Sequence, residues 1–412
     1  MKNTMTLSRR GLLKSGGAMI VSFAFSGTAE RLLAQAPGAA PPPMDLDNFL
    51  TVHPDGKVTL RTSRVDPGTG IRTVYAQITA EEMGLPVDRI TVIDGDTAIV
   101  PNHGGTGGSQ GVPRGGADIR RAAATARKAL LDLGAKRLGK PAGELTIVGG
   151  NVQPVSGGAG VSIAELIGGK RFELKLDPDA PVRNPSSYAV VGKPVRRPDV
   201  PGKATGTFVF VHDHKLPGML HGRVIRPTVI GAKLVSVDEA SISAIPDVKV
   251  VRIENFLGVV AKDEWAAIRA SGELKVTWGE GKAFPTTSVS LASAMRETKP
   301  EQEQQALNKG DVTAGLGTAA KKLSASYYWP FHSHASMGPS CSVADVKDSG
   351  VTVWSSTQDV FGVRGAVARA LSVPPARVRV VYLDGSGSYG SNGAYDAAHD
   401  AALLSRAVGQ PV

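Results

Sequence analysis

The sequence predicts an α+β protein assembled from strand–loop–helix units, and three observations carry that prediction. Near the C-terminus, Arg377-Val378-Arg379-Val380-Val381-Tyr382-Leu383 reads as a buried strand. It runs into Asp384-Gly385-Ser386-Gly387-Ser388-Tyr389-Gly390 and then into a helical pattern over residues 394–408. Near the start, Ile71, Val74, Tyr75 and Ile78 fall at i, i+3, i+4 and i+7 and so form one apolar face. Glycine is abundant, with 49 of 412 residues, while aromatics make up only 5 %, which suits a loop-rich mixture of strands and helices better than a bundle. At this length about three domains are expected.

The elements follow in order. Ser8-Arg9-Arg10-Gly11-Leu12-Leu13-Lys14 is a twin-arginine pattern, followed by a mildly apolar run over 18–25 that is too short to span a bilayer. It reads as an export leader, with Gly27-Thr28-Ala29 and Ala34-Gln35-Ala36 as candidate cleavage sites and 36–43 as a Pro/Ala/Gly linker. A first block opens with a strand at 58–62 and continues through Asp66-Pro67-Gly68-Thr69-Gly70 into the amphipathic helix. A strand at 89–93, the loop Gly104-Gly105-Thr106-Gly107-Gly108-Ser109-Gln110-Gly111 and an Ala-rich helix around 119–138 come next. Residues 151–190 read as a connector of turns and one short helix. A second block has strand signals at 207–212, 221–226, 249–253 and 257–260, a helix at 263–270 and a strand at 273–278. Residues 279–320 are polar and read as an exposed excursion. A third block alternates strands at 324–329, 341–346 and 351–355 with a helix at 363–371 before the closing unit.

Charge and cysteine content narrow the function. The net charge of +10 comes from scattered basic residues with no aromatic-interleaved stripe, so no nucleic-acid partner is expected; a general attraction for anionic ligands is the more modest reading. The single cysteine, Cys341, leaves no internal disulfide and no iron–sulfur cluster held by this chain alone. If the protein is a redox enzyme, further electron-transfer centres belong to partner subunits.

The closing strand, Gly-rich turn and helix start make a preformed anion site, because glycines admit close backbone approach and helix N–H groups point at the ligand. Gly385-x-Gly387-x-x-Gly390 matches a dinucleotide fingerprint. A nicotinamide site also needs a second strand ending in an acidic residue, and the residues after Gly390 are nearly all taken up by the helix. His212-x-His214 and His332-x-His334 would each place two imidazoles on one face of a strand, but no further ligand completes a metal site. What remains is a set of Gly/Ser/Thr loops, at 66–70, 104–111, 355–358 and 384–393. Such loops suit a large phosphate-bearing cofactor that supplies the chemistry itself. A purely structural turn and a nicotinamide-dependent enzyme stand as the alternatives.

Several runs resemble the molybdopterin-binding subunit of the xanthine dehydrogenase/aldehyde oxidase family. They are Ser355-Ser356-Thr357-Gln358, Ala376-Arg377-Val378-Arg379-Val380, Gly385-Ser386-Gly387-Ser388-Tyr389-Gly390 with Asn392-Gly393-Ala394, and His334-Ala335-Ser336-Met337-Gly338-Pro339-Ser340-Cys341. The exported branch, which includes isoquinoline 1-oxidoreductase β subunits and nicotinate dehydrogenase large subunits, is the most similar. Gly202-Lys203-Ala204-Thr205-Gly206 and Leu216-Pro217-Gly218-Met219-Leu220-His221 resemble that family's α/β hammerhead domain. The resemblance implies a leader and linker over 1–43 and a permuted segment of molybdenum-cofactor-binding domain 2 over 44–187. A hammerhead over 188–285 and a truncated start of cofactor-binding domain 1 over 286–412 complete the division.

The resemblance also implies roles. Gln358 matches the glutamine that hydrogen-bonds an oxo ligand of molybdenum, and Gly387, Tyr389 and Gly390 match the glycine–aromatic loop beside metal and pterin. Gly68, Thr69 and Gly70 match a cofactor turn in which many members carry Gln where Thr69 stands, and Thr106 and Ser109 match hydroxyls that hold the cofactor's phosphates. No protein residue is expected to ligate the metal. The implied cofactor is molybdenum–molybdopterin in its cytosine dinucleotide form. The implied partners are a small [2Fe–2S] subunit and a c-type cytochrome, and the location is periplasmic or membrane-associated. The implied reaction adds water-derived oxygen to an N-heteroaromatic compound or an aldehyde. No residue matches the family's catalytic glutamate, so the chain alone is expected to be inactive, whether as the first part of a longer subunit or as a non-catalytic homologue.

Overall fold

The computed structural model describes residues 18–22, 48–283, 285, 287–330, 332–392 and 395–412. The first block comprises β1 (Ala18–Ser22), β2 (Asn48–Val52), β3 (Val58–Thr62), α1 (Ile71–Met83), β4 (Ile90–Asp94), α2 (Ala117–Leu138), β5 (Leu145–Val148), β6 (Asn151–Pro154), β7 (Val161–Ser162), α3 (Ile163–Ile167) and β8 (Arg171–Lys175). Its main sheet runs β4-β3-β2-β1-β8, and β5-β6-β7 form a small second sheet. The apolar face of α1 buries Ile71 and Tyr75, and the small residues Ala122, Ala123 and Ala126 let α2 lie close against the same core as Phe49, Leu50 and Leu60. Gly84, at φ 66, ends α1 in the left-handed conformation that glycine adopts without a Cβ penalty. Residues 151–190 are therefore more than a connector: β8 completes the main sheet, and α3, capped by the reciprocal Ser162–Glu165 pair, closes the small one.

Between the first and second blocks, Glu81 and Glu82 hold the chain by two buried carboxylates. Glu81 Oε2 accepts hydrogen bonds from the backbone N–H groups of Ala189, Val190 and Val191 at 3.0, 2.6 and 3.0 Å. Glu82 accepts from Arg120 Nε at 2.7 Å and from the Arg183 N–H at 3.1 Å. Carboxylates this buried persist because they are paired.

The second block contains α4 (Val200–Ala204), β9 (His221–Val224), β10 (Leu234–Asp238), β11 (Lys249–Ile253), β12 (Phe256–Ala261), α5 (Glu264–Glu273) and β13 (Lys275–Trp278). β11-β12-β9 form one antiparallel sheet and β10-β13 a second pair, with Leu257, Val259 and Ala267 at the core. The expected strand at 207–212 is absent. Residues 207–210 lie outside any ladder, and Val211–Asp213 form a tight turn whose Val211 N–H donates to Asp384 O at 2.8 Å. The alternating Val209/Val211 pattern thus finds a backbone partner in the Gly-rich loop of the third block instead of a sheet edge.

Residues 279–320 carry two short exposed helices, α6 (Ser288–Glu297) and α7 (Val312–Thr318). The third block has β14 (Ser342–Lys347), β15 (Gly350–Ser355), α8 (Val360–Ala370), β16 (Val378–Tyr382) and α9 (Tyr395–Val408). β15 and β16 pair in parallel and are joined through α8, the crossover such a pair requires. α8 and α9 pack over Val353, Val380 and Tyr382. The strand expected at 324–329 does not form either: Leu323, Tyr327 and Trp329 are exposed and no ladder reaches them. Strand propensity without an available partner edge leaves the backbone unpaired.

The far edge of β16 is completed by the first block. Tyr382 N–H donates to Gly95 O at 2.7 Å and Thr97 N–H to Val380 O at 3.0 Å. Arg379 clasps the Asp96 carboxylate through Nε at 3.0 Å and Nη2 at 2.6 Å. This seam sets the two Gly-rich turns beside each other.

Candidate cofactor cleft

Two turns face one another. The first is organised by Asp66, whose Oδ1 accepts the N–H groups of Gly68 at 3.0 Å and Gly70 at 2.9 Å, while Oδ2 accepts the Arg72 N–H at 3.2 Å. Gly68 and Gly70 hold φ of 107 and 78, values an L side chain rarely adopts. The Thr69 hydroxyl also turns back to Asp66 Oδ1, at 3.5 Å. The second turn leaves β16 at Asp384 and reaches α9 at Tyr395. A Cβ on Gly385 would meet the Ser356 side chain at 2.6 Å, so only glycine lets this loop lie against residue 356.

Asn392 is the hub of the second turn. Its amide donates to Ser356 Oγ and to Gly387 O, each at 3.2 Å, and its oxygen accepts from Ser340 Oγ at 2.8 Å. Gln358 connects the second turn to the loop at 104–108. Its Nε2 donates to Thr106 O at 2.8 Å, its Oε1 accepts the Asn392 N–H at 2.6 Å, and Thr106 N–H donates to Gln358 O at 2.9 Å. Thr106 Oγ1 donates to Val65 O at 2.8 Å.

Between the turns lies a cleft of about 90 Å³ lined by Pro67, Gly68, Lys203, Ser356, Asp384 and Gly387, among others. Its electrostatics are set by an ion cluster drawn from all three blocks. Asp384, 6 % exposed, accepts from Arg72 Nη2 at 3.1 Å and Lys203 Nζ at 2.7 Å. Arg72 also donates to Asp94 at 2.8 Å, and Lys203 pairs with Asp199 at 2.8 Å. Burial disfavours the charge on Lys203, but Asp199 and Asp384 outweigh it and raise its pKa above the usual lysine value. Burial pushes the Asp94 carboxyl upward against the pull of Arg72.

The residues singled out from sequence are thus partly assembled. Gly68 and Gly387 share the cleft; Gln358, Thr106 and Gly390 form the adjoining brace; Tyr389 is 61 % exposed at φ 51, and Ser109 is exposed at φ 56 on the turn before α2. Lys203, Asp384, Arg72 and Asn392 were missed as site residues, although Lys203 and Asp384 stand in runs already singled out. Of the histidines, His212 Nε2 bonds Pro339 O at 3.0 Å and His214 stacks on Trp354 with centroids 4.9 Å apart. Among the described residues, no group of three or more His, Cys, Asp or Glu side chains could hold a metal ion.

Two facing turns with left-handed glycines, hydroxyls and one lysine make a cleft of the kind that suits an anionic cofactor, although the N–H groups of Gly68, Gly70 and Arg72 are already taken by Asp66. Comparisons with known proteins name that cofactor. Residues 7–210 match a molybdopterin cofactor-binding domain family, and residues 295–412 match a second family of the same description. A nicotinate dehydrogenase subunit of Pseudomonas putida is 43 % identical over 377 residues, covering 89 % of this chain and 32 % of that protein. The β subunit of isoquinoline 1-oxidoreductase from Brevundimonas diminuta is 24 % identical over 462 residues, covering 99 % and 59 %. A crystal structure of quinoline 2-oxidoreductase from Pseudomonas putida 86 aligns with a TM-score of 0.43 at 21 % identity, over 54 % of this chain and 34 % of that one. The chain belongs to the molybdopterin-binding subunits of the xanthine dehydrogenase/aldehyde oxidase family of molybdenum hydroxylases. It spans between about a third and about three fifths of the length of these two curated relatives.

The cleft fits such a cofactor in the chemistry of its donors. Ser388 is 4 % exposed and its Oγ is buried with no hydrogen-bond partner among the described residues, which leaves a donor for a ligand beside Gly387. The cleft's volume is below the 300–1,000 Å³ usual for ligand sites, so these residues form part of the enclosure.

Proposed function

We propose that this chain is the cofactor-holding portion of a molybdenum hydroxylase large subunit that acts on an N-heteroaromatic compound or an aldehyde. The observation that carries the reading is the pairing of the Gly68 turn with the 384–392 loop, braced by Gln358 and Thr106. The molybdenum–molybdopterin cofactor, as its cytosine dinucleotide, would supply the two-electron oxidation with water-derived oxygen. The Ser388 hydroxyl and the Lys203 ammonium would hold it, with the turns at Gly68 and Gly387 as the walls of the cleft. Lys203 would set a positive charge near its phosphates, and Gln358 would fix the loop that carries Gly390. Identity to the nicotinate dehydrogenase subunit favours an N-heteroaromatic substrate.

Electrons would leave through a small [2Fe–2S] subunit to a c-type cytochrome, consistent with the single cysteine of this chain. Arg9-Arg10 supports export to the periplasm or its membrane face by the twin-arginine route. The test is to purify the protein with its native partners and supply nicotinate in heavy-oxygen water. A product carrying one solvent-derived oxygen supports the proposal. No oxidation of any N-heteroaromatic compound or aldehyde by a molybdenum-loaded complex would remove it.

A further inference from the structure

The first five residues of the apolar run over 18–25, which reads as part of an export leader, form a strand within the main sheet. β1 pairs antiparallel with β2, in the register Met19↔Val52, Ile20↔Thr51 and Val21↔Leu50. It pairs in parallel with β8, in the register Ala18↔Arg171 through Ser22↔Lys175. The ladder extends past both ends, since Ala18 N–H donates to Lys170 O at 3.0 Å and Leu176 N–H to Ser22 O at 3.2 Å.

Both faces of this strand are covered. Met19 and Val21, each 0 % exposed, join the core with Phe49, Leu50 and Val52 under α2. Ile20, 2 % exposed, points to the opposite face. A strand buried on both faces reads as a continuous apolar run, and Ala18-Met19-Ile20-Val21 is one. β2 and β8 therefore lie two strand spacings apart, roughly 9–10 Å, and form no ladder with each other. Without β1 each would face the other across a gap one strand wide, with unpaired backbone on both sides and the core open beneath. The region matched to the molybdopterin-binding domain family starts at residue 7, so the strand falls inside that domain.

We propose that the slot between β2 and β8 is a binding site for the chain's own residues 18–22, and that this segment stays seated there in the mature protein. Both candidate cleavage sites, after Ala29 and after Ala36, lie beyond β1 in sequence. Processing at either would cut the strand's tether without removing any of its ladder. The inference does not depend on the cofactor reading, because none of these residues lines the cleft.

Hydrogen exchange on the intact protein as its host makes it, together with the mass of every polypeptide present, tests this. The amides of Met19, Ile20 and Val21 should exchange at least on the order of a thousandfold slower than an unstructured chain, alongside those of β2. Residues 18–22 should be recovered either in the main polypeptide or as a co-purifying peptide. Exchange at unstructured rates, or a mature protein that lacks these residues altogether, overturns the proposal. Ile20→Asp, which puts a charge at a fully enclosed position, should lower the melting temperature; an unchanged melting temperature would also count against the seated strand. If that variant fails to fold, exchange in the unmodified protein still decides.

Discussion

Arg72 Nη2 donates to Asp384 Oδ1 at 3.1 Å across 312 residues of sequence, and that contact ties the Gly68 turn to the start of the 384–392 loop. Arg72 reaches it from the first turn of α1, with its guanidinium 5.5 Å from the centre of the Tyr382 ring, while Tyr382 Oη donates to Asp66 O at 2.8 Å. The two walls of the cleft are thus tied by charge pairing in addition to the backbone seam at Gly95 and the burial of Val65 in the core of the third block.

Removing Asp384 should therefore loosen the walls. Asp384→Ala leaves Arg72 with Asp94 and Lys203 with Asp199, so the loss should be about 1–3 kcal/mol, below the 3–5 of a wholly orphaned buried pair. Urea unfolding measures it. A double-mutant cycle of Asp384→Ala with Arg72→Ala should return a coupling of about 1–2 kcal/mol, and a coupling near zero would mean the contact positions nothing.

Glu82, side chain 1 % exposed, should be worth more to stability than any surface charge, because Arg120, Arg127 and the Arg183 N–H all converge on it. Glu82→Ala should cost about 3–5 kcal/mol and raise the rate of proteolytic cutting near residue 183. By contrast, Arg269→Ala, which breaks an exposed pair with Glu273, should change stability by less than about 0.5 kcal/mol.

Acidification should destabilise the fold through His103. This imidazole is 3 % exposed, bonded to Thr62 Oγ1 at 2.8 Å and to Asp118 at 3.3 Å. Burial lowers its pKa below 6.5, although Asp118 pulls the other way. The folded state thus favours the neutral ring, so its contribution is full above pH 6.5 and is lost as pH falls from there through the lowered folded value. His53 and His214 are shifted the same way by burial and add to the slope. Stability measured between about pH 7.5 and about 5 should fall with pH, and His103→Gln should flatten part of that slope.

Gly385→Ala should perturb the loop, since the new Cβ would sit 2.6 Å from the Ser356 side chain; the expected cost is about 1–3 kcal/mol with loss of cofactor retention. Gly143→Ala, outside the four candidate cofactor loops, meets nothing within 4 Å and serves as the control, with stability and cofactor content unchanged. Equal effects from the two substitutions would show that the close approach at Ser356 is not what holds the loop.

Much of this architecture was legible where periodicity and burial agree. β3, α1, β15, α8, β16 and α9 lie within a few residues of their expected places because their apolar faces meet a core within the same block. Sequence patterning failed where the partner decides. Residues 207–212 and 324–329 have strand composition but no ladder, and β10, with Val235 58 % exposed, forms only because β13 lies alongside. The Gly68, Thr106, Gln358 and Gly387 loops could be picked out from residue type. The Asp384–Lys203–Arg72 cluster could not, because nothing local marks three charges from separate blocks as neighbours. The pairing of residues 18–22 could not be read from the apolar run over 18–25 either, because β2 and β8 lie elsewhere in the sequence.

The central claim, that the Gly68 turn and the 384–392 loop cradle a molybdenum–pterin dinucleotide, is tested most directly by elemental and nucleotide analysis of the protein as its own cell makes it, with Lys203→Ala beside it. The account predicts close to one molybdenum and one cytosine nucleotide per chain, and at least about a tenfold lower content in Lys203→Ala at equal folded yield. A native protein free of molybdenum and pterin, from cells that load other molybdenum enzymes, would contradict it.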